Sequence, residues 1–178
     1  GMRGPMVVKQ ASPNLMLVSI EFPGMGSMRQ GFNGDVAWSI DPMSGPRIIT
    51  GKQLDQMKRE ADFFGSVDIL KNFESSKTVA VADFAGEKCY QIKLTSSDGI
   101  TNAYYSVETG LARGNKSVAQ TPQGEIPSIT TISDYKDFGG VRIPTLTVIE
   151  AMGQKQQIVL ESVLFDEVNA TYRQICNN

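Results

Sequence analysis

Hydrophobic and polar residues alternate with a period of two along most of this chain, and glycine turns cut the alternation into short runs. Period two sends successive side chains to opposite faces of a strand. The run 15–22 shows it plainly: Met16, Val18, Ile20 and Phe22 share one face, and Leu15, Leu17, Ser19 and Glu21 the other. The punctuating dipeptides are Asn33-Gly34, Ala85-Gly86, Asp98-Gly99, Thr109-Gly110, Gly139-Gly140 and Met152-Gly153. Gly, Asn and Asp tolerate the positive φ of tight reversals, so these positions predict hairpins and an antiparallel sheet.

In the first third, strands are predicted over 6–10 and 15–22, through Met28, Gln30 and Phe32, and through Val36, Trp38 and Ile40. Asp41-Pro42, Ser44-Gly45-Pro46 and Gly51 read as a loop. The period then changes. Leu54, Met57, Ala61 and Phe64 fall on one side of a helix, and Thr50 with Gln53 resembles a capping box at its start. A second short helix is predicted over 66–73, with Val67, Leu70 and Phe73 on one side. Alternation resumes over 79–84, 88–95, 101–107, 111–118, 127–138, 141–151 and 156–165. Within 88–95, Tyr90, Ile92 and Leu94 point inward, and Gln91 and Lys93 outward. Residues 166–178 read as irregular.

These runs amount to about nine to eleven strands, and open sheets of that size curl or close. A curved sheet buries its apolar side beneath helices. The predicted fold class is therefore mainly β (α+β): a large curved antiparallel sheet, with a short helical insertion at about residues 51–74 covering the concave face. No linker, repeat or boundary is visible, so residues 1–178 read as one domain; Gly1 is read as an expression scar.

Composition narrows the function more than it names it. With 17 basic and 19 acidic residues the net charge is −2, which removes broad attraction to nucleic acid or to an anionic membrane. No stretch of about 18 apolar residues exists, so no helix of the sequence spans a bilayer. No signal peptide is visible. The chain has no histidine, which removes Ser-His-Asp and Cys-His catalysis, His-bearing zinc sites and histidine pH switching together. Cys89 and Cys176 either pair in an oxidising compartment or stay as free, partly buried thiols.

Motifs for specific chemistry are weak. Gly45 to Gln53 mimics a phosphate loop but has five residues between its glycines instead of four, and Gln53 where Ser or Thr is needed. Gly24-Met25-Gly26 lacks the third glycine and the βαβ context of a dinucleotide site. The carboxylates are scattered, and Cys89 has no histidine to activate it. No metal, catalytic residue or cofactor is assigned. Met6, Met16, Met25, Met28, Met43 and Met57 all fall in the first third. They fit either ordinary core filling or a pliant apolar pocket. Trp38 reads as a core anchor or a stacking platform, and one of Tyr104 and Tyr105 must point inward.

Three segments in order resemble a known family. Asn33-Gly34-Asp35-Val36-Ala37-Trp38 is similar to the first hairpin of the outer-membrane lipoprotein-sorting, LolA-like domains. Tyr105 with Glu108-Thr109-Gly110-Leu111 is similar to a later strand pair, with Glu108 near the family's usual Asp. Asp134-Tyr135-Lys136 followed by Gly140-Val141-Arg142-Ile143-Pro144 is similar to a third. The resemblance runs from about residue 5 to 169, to the uncharacterised bacterial branch. The helix that commonly precedes the family's first strand has no counterpart here, and no signature Phe follows Asn169. What the resemblance implies is an unclosed half-barrel with helices over an apolar concavity, a periplasmic or otherwise extracytoplasmic location, and a lipid or lipoprotein partner.

Three readings of function follow. The first is non-enzymatic binding of an apolar ligand, a lipid or lipoprotein acyl chain, in a cavity between sheet and helices. Its candidate lining is Met16, Ile20, Trp38, Leu54, Met57, Phe64, Tyr90, Ile92 and Tyr105. The second is an envelope interaction or scaffold module with a filled core and a protein partner. The third is a cofactor-free enzyme.

Overall fold

The computed structural model describes residues 3–65, 69–97, 99–121 and 124–166. The architecture is mainly β, with two open antiparallel sheets and one α-helix among the described residues. The strands sort into a sheet of five and a sheet of seven. They lie in separate compact units, one comprising the described residues up to Asn72 together with Phe165 and Asp166, and the other Phe73–Leu164. The division falls where the hairpin rhythm stops, between the fifth and sixth strands, because a helix is no two-residue reversal and leaves those strands unpaired.

The first unit is a meander of β1 (Met6–Ala11), β2 (Leu15–Phe22), β3 (Gly26–Phe32), β4 (Ala37–Asp41) and β5 (Gly45–Ile49), followed by α1 (Gly51–Ala61). β5 occupies residues expected to be a loop. It forms because Asp41 Oδ1 accepts from Met43 N, Ser44 N and Ser44 Oγ, closing a tight turn before Gly45, whose φ is +75°. Pro46 is tolerated there because β5 is an edge strand. The Asn33-Gly34 reversal is built as expected: Asn33 Oδ1 accepts from Asp35 N and Val36 N, and Gly34 has φ +103°.

The helix departs from its expected ends. Thr50 is the N-cap but makes no side-chain capping bond, and Gln53 Oε1 instead accepts from Arg47 Nη1. The predicted capping box is therefore not formed. At the other end Asp62 turns extended after Ala61, so Phe64 lies beyond the helix, in an edge-to-face pair with Phe63. Of the second predicted helix, residues 66–68 lie outside the described residues, and Ile69–Asn72 form a 3-10 turn.

α1 packs on one face of the five-stranded sheet. By register, Gln10, Met16, Phe32, Ala37 and Ile49 form one row across that face, and Val8, Val18, Gln30, Ser39 and Arg47 the next. Met57 and Ala61 close over Met16, Phe32, Ala37 and Ile49 as a single buried cluster, with Val18 and Leu54 at its rim. Polar ties hold the helix in place. Gln10 Nε2 donates to Glu60 O at 3.0 Å, and Phe63 N to Pro13 O at 3.1 Å.

The second unit is a meander of β6 (Ser75–Phe84), β7 (Glu87–Ser96), β8 (Gly99–Ser106), β9 (Ala112–Thr121), β10 (Gly124–Phe138), β11 (Val141–Ala151) and β12 (Gln154–Val159). Three of its hairpins turn on two residues that both have positive φ: Ala85-Gly86, Gly139-Gly140 and Met152-Gly153. That is the backbone a type I′ turn requires. β12 stops at Val159, short of the predicted 165. The stretch 167–178, predicted irregular, lies outside the described residues.

Candidate functional site

The nine predicted lining residues separate into distinct surroundings. Met16 and Met57 are core residues of the first unit, Met57 only 2% exposed. Leu54 sits at the rim of that cluster. Ile20 shares the helix side of β2, two residues beyond Val18 and opposite Met28. Even the polar neighbours are folded into this layer: Gln30 Nε2 lies 3.7 Å from Met57 Sδ, and Gln10 Nε2 lies 3.9 Å from Met16 Sδ. Phe64 is exposed in the turn after α1.

Trp38 faces the other way. Its neighbours Ala37 and Ser39 point to the helix side, so strand alternation sends the indole to the opposite face. There it lies over Gly31, its cross-strand partner; a Cβ at Gly31 would come within 2.5 Å of the ring.

Tyr90, Ile92 and Tyr105 belong to the second unit and are brought together. Tyr90 pairs directly with Tyr105, and Ile92 with Ala103, on adjacent β7 and β8. Leu94, one step further along the same face, is buried. Extending the register across the sheet, this face continues through Asn115 and Ser117 to Ser128, Thr130 and Ile132, then Thr147 and Ile149, then Ile158. These positions are uncharged, and Lys88 in β7 and Lys136 in β10 stand at the ends of the same face. The opposite face carries Lys93, Lys116, Glu150 and Lys155. Tyr105 has its hydroxyl pKa raised by burial, and Tyr135 likewise, while Tyr135 Oη donates to Ala112 O at 2.8 Å.

On the face opposite Tyr90 lies a small ordered cluster that the sequence pattern does not predict. Tyr104 stacks on Phe84 with centroids 4.1 Å apart and rings 5° from parallel, beside buried Cys89. Gly114 lets them approach: its φ is +141°, and any Cβ there would run into Thr130 O and the Phe84 ring. Arg113, the extra residue of a bulge opposite Tyr104 and Tyr105, pairs with Glu87, and Ser106 Oγ donates to Glu87 Oε2 at 3.2 Å. The glycine inside a strand pattern was the available signal, since it marks a bulge or a close approach. Burial, and then the Glu87 carboxylate, push the Cys89 thiol up, away from a reactive thiolate. Cys89 is free and buried, and Cys176 lies outside the described residues.

Chemically, the arrangement offers surface and little reactivity. Among the described residues no group of three or more His, Cys, Asp or Glu is placed to hold a metal ion. An open cleft of about 430 Å³ lies by the Met152-Gly153 turn, lined by Pro127, Ile129 and Met152 with Lys116, Glu150 and Lys155 around them. No helix among the described residues is long and apolar enough to cross a membrane.

The fold is shared with solved structures at low sequence identity. A LolA superfamily protein from Nitrosomonas europaea is 14% identical with a TM-score of 0.56, the match covering 95% of this chain and 82% of that one. A DUF1329 family protein from Desulfovibrio piger is 13% identical with a TM-score of 0.63, over 97% of this chain and 81% of that one. A domain described as an outer membrane lipoprotein-sorting protein, from Vibrio parahaemolyticus, is 10% identical with a TM-score of 0.51, over 97% and 88%. No protein-family model matches the sequence, and a search of curated proteins finds no significant match. The LolA-like fold expected from the three hairpin segments is the fold observed.

Proposed function

We propose that this chain, having a LolA-like fold, binds an apolar ligand without catalysis in the bacterial cell envelope, outside the cytoplasm. The ligand is a lipid or the acyl chain of a lipoprotein. The observation that carries the reading is the apolar patch of Tyr90, Ile92, Leu94, Ala103 and Tyr105 on one face of β7 and β8. Half-exposed apolar side chains such as Tyr90 and Ile92 are costly to leave in water and suit an acyl chain, which has no polar group to satisfy. The lipoprotein-sorting description of one structural relative supports the same ligand class. In this reading Tyr90, Ile92 and Tyr105 touch the ligand. Met16, Ile20, Leu54 and Met57 serve it only if α1 lifts from its sheet.

A specific observation favours a second reading for the first unit. Its helix–sheet layer is already filled by its own side chains, as an envelope interaction module with a protein partner would have it.

Lipid extraction and native mass spectrometry of the purified protein test the main reading, together with uptake of a fluorescent fatty acid. A co-purifying or exchangeable acyl ligand is expected. Ile92→Asp should cut uptake about tenfold or more, because a carboxylate on this face must be desolvated by the bound chain. No acyl ligand and no uptake by the folded protein would leave the scaffold reading in its place.

A further inference from the structure

The five-stranded sheet has a second face, turned away from α1, that neither the core nor the proposed ligand site uses. Register orders it in two rows. Lys9, Leu17, Gly31, Trp38 and Ile48 lie side by side across the five strands, and Val7, Ser19, Arg29, Ile40 and Pro46 form the next row. The indole of Trp38 covers Gly31 between them. Several of these side chains are left in water: Ile48 is 62% exposed, and Val7 and Ile40 are exposed as well. The two rows contain two cations and no carboxylate, on a chain whose overall balance is acidic. The nearest acid on this face, Glu21, falls in the following row opposite Ser27.

We infer that this Trp38 face is a docking surface for an anionic lipid bilayer, with Trp38, Ile40 and Ile48 entering the interface and Arg29 meeting lipid phosphates. Tryptophan suits the boundary because its ring is apolar and its N–H still finds a partner. Isoleucines beside it supply apolar area, and the exposed arginine adds attraction to anionic headgroups. The charge balance of the whole chain gives no broad attraction to such a surface, so the contact is local and oriented. It presents the five-stranded sheet flat to the membrane.

The test uses the single tryptophan of the chain as its reporter. The full chain is mixed with vesicles of phosphatidylcholine alone, or with added phosphatidylglycerol. Association is followed by co-sedimentation, and Trp38 emission by its blue shift and its quenching by brominated lipid. Binding that requires phosphatidylglycerol, with a blue-shifted and quenched Trp38, is expected. Arg29→Glu should weaken it about tenfold or more, since one basic residue near an anionic surface is worth roughly a fivefold change and a reversal counts twice. Ile48→Asp should weaken it comparably. Both positions are exposed, so circular dichroism should show the fold unchanged.

Vesicle binding that both variants retain overturns the inference, as does an unquenched Trp38. A blue shift that tracks a monomer–dimer equilibrium without vesicles gives the face to a second copy of the chain. Quenching by monomeric brominated fatty acid as strong as by vesicles gives it to a soluble ligand. Ile92→Asp separates this surface from the acyl site: it should cut fatty-acid uptake as above and leave vesicle binding intact.

Discussion

The five-stranded sheet has one face covered by a helix; the seven-stranded sheet gathers Tyr90, Ile92 and Tyr105 where β7 and β8 meet, with no helix among the described residues of its own unit over them. In the first unit, Met57 and Ala61 close over Met16, Phe32, Ala37 and Ile49, and glutamines fold against the methionine sulfurs. In the second, Tyr90 stays 43% exposed beside half-buried Ile92 and Tyr105, and the ordered packing lies on the opposite face, around Phe84, Cys89 and Tyr104. The same strand alternation thus produces a finished core in one place and an available surface in the other. Pattern decides which residues share a face, and only the covering element decides whether that face is core or site.

The largest effect that can break this contrast is at Gly114. Gly114→Ala forces a side chain into the Thr130 carbonyl and the Phe84 ring from a backbone that disfavours it. It should cost ~4 kcal/mol or more in a denaturant titration. A small loss would mean that the Phe84–Tyr104 packing is looser than the helix-covered core. Next is Met57→Ala, which empties the centre of that core and should cost ~3 kcal/mol while leaving fatty-acid uptake unchanged. Uptake that falls with Met57 would move the site under the helix and dissolve the distinction between the units. Gln10→Ala removes the bond to Glu60 O and should cost ~1 kcal/mol, with faster hydrogen exchange confined to the last turn of α1.

The smallest effect is a pH dependence after the helix. The Asn72 side-chain bond is the main reason the Asp62 carboxyl is held below the usual carboxylate range, and the Phe64 amide adds to it. A depressed folded pKa stabilises at pH values above the ordinary aspartate range, and the contribution disappears as pH falls through the folded value. Asn72→Ala should therefore be slightly less stable than the parent at neutral pH and converge with it in acid, by urea titration at several pH values.

Much of this arrangement is legible from residues alone, and the failures have physical causes. Alternation puts Met16, Val18 and Ile20 on one side of β2, and alternation with turn residues locates every strand but β5. β5 was hidden because Gly45 and Pro46 look like punctuation, while an Asp41-capped turn and a free edge make them acceptable in a strand. Trp38 was grouped with Met16 because both are large and apolar. Their faces differ by one step of the pleat, which only register reveals. Tyr90, Ile92 and Tyr105 come together because β7 and β8 pair across a single hairpin, while the other six candidates lie in the first unit. The Glu87–Arg113 pair was beyond reach, because it depends on a bulge that admits one extra residue.

The strict order of the larger sheet bears on how the chain reaches this structure. Every pairing from β6 to β12 joins strands that are consecutive in sequence. No strand has to wait for a distant partner, so each step closes only a short loop at small entropic cost. Seven strands assembled this way should zip hairpin by hairpin, faster than sandwiches whose strands cross between sheets. An interrupted chain would then already hold paired strands, leaving one growing edge as the place where the next strand, or a wrong one, could add.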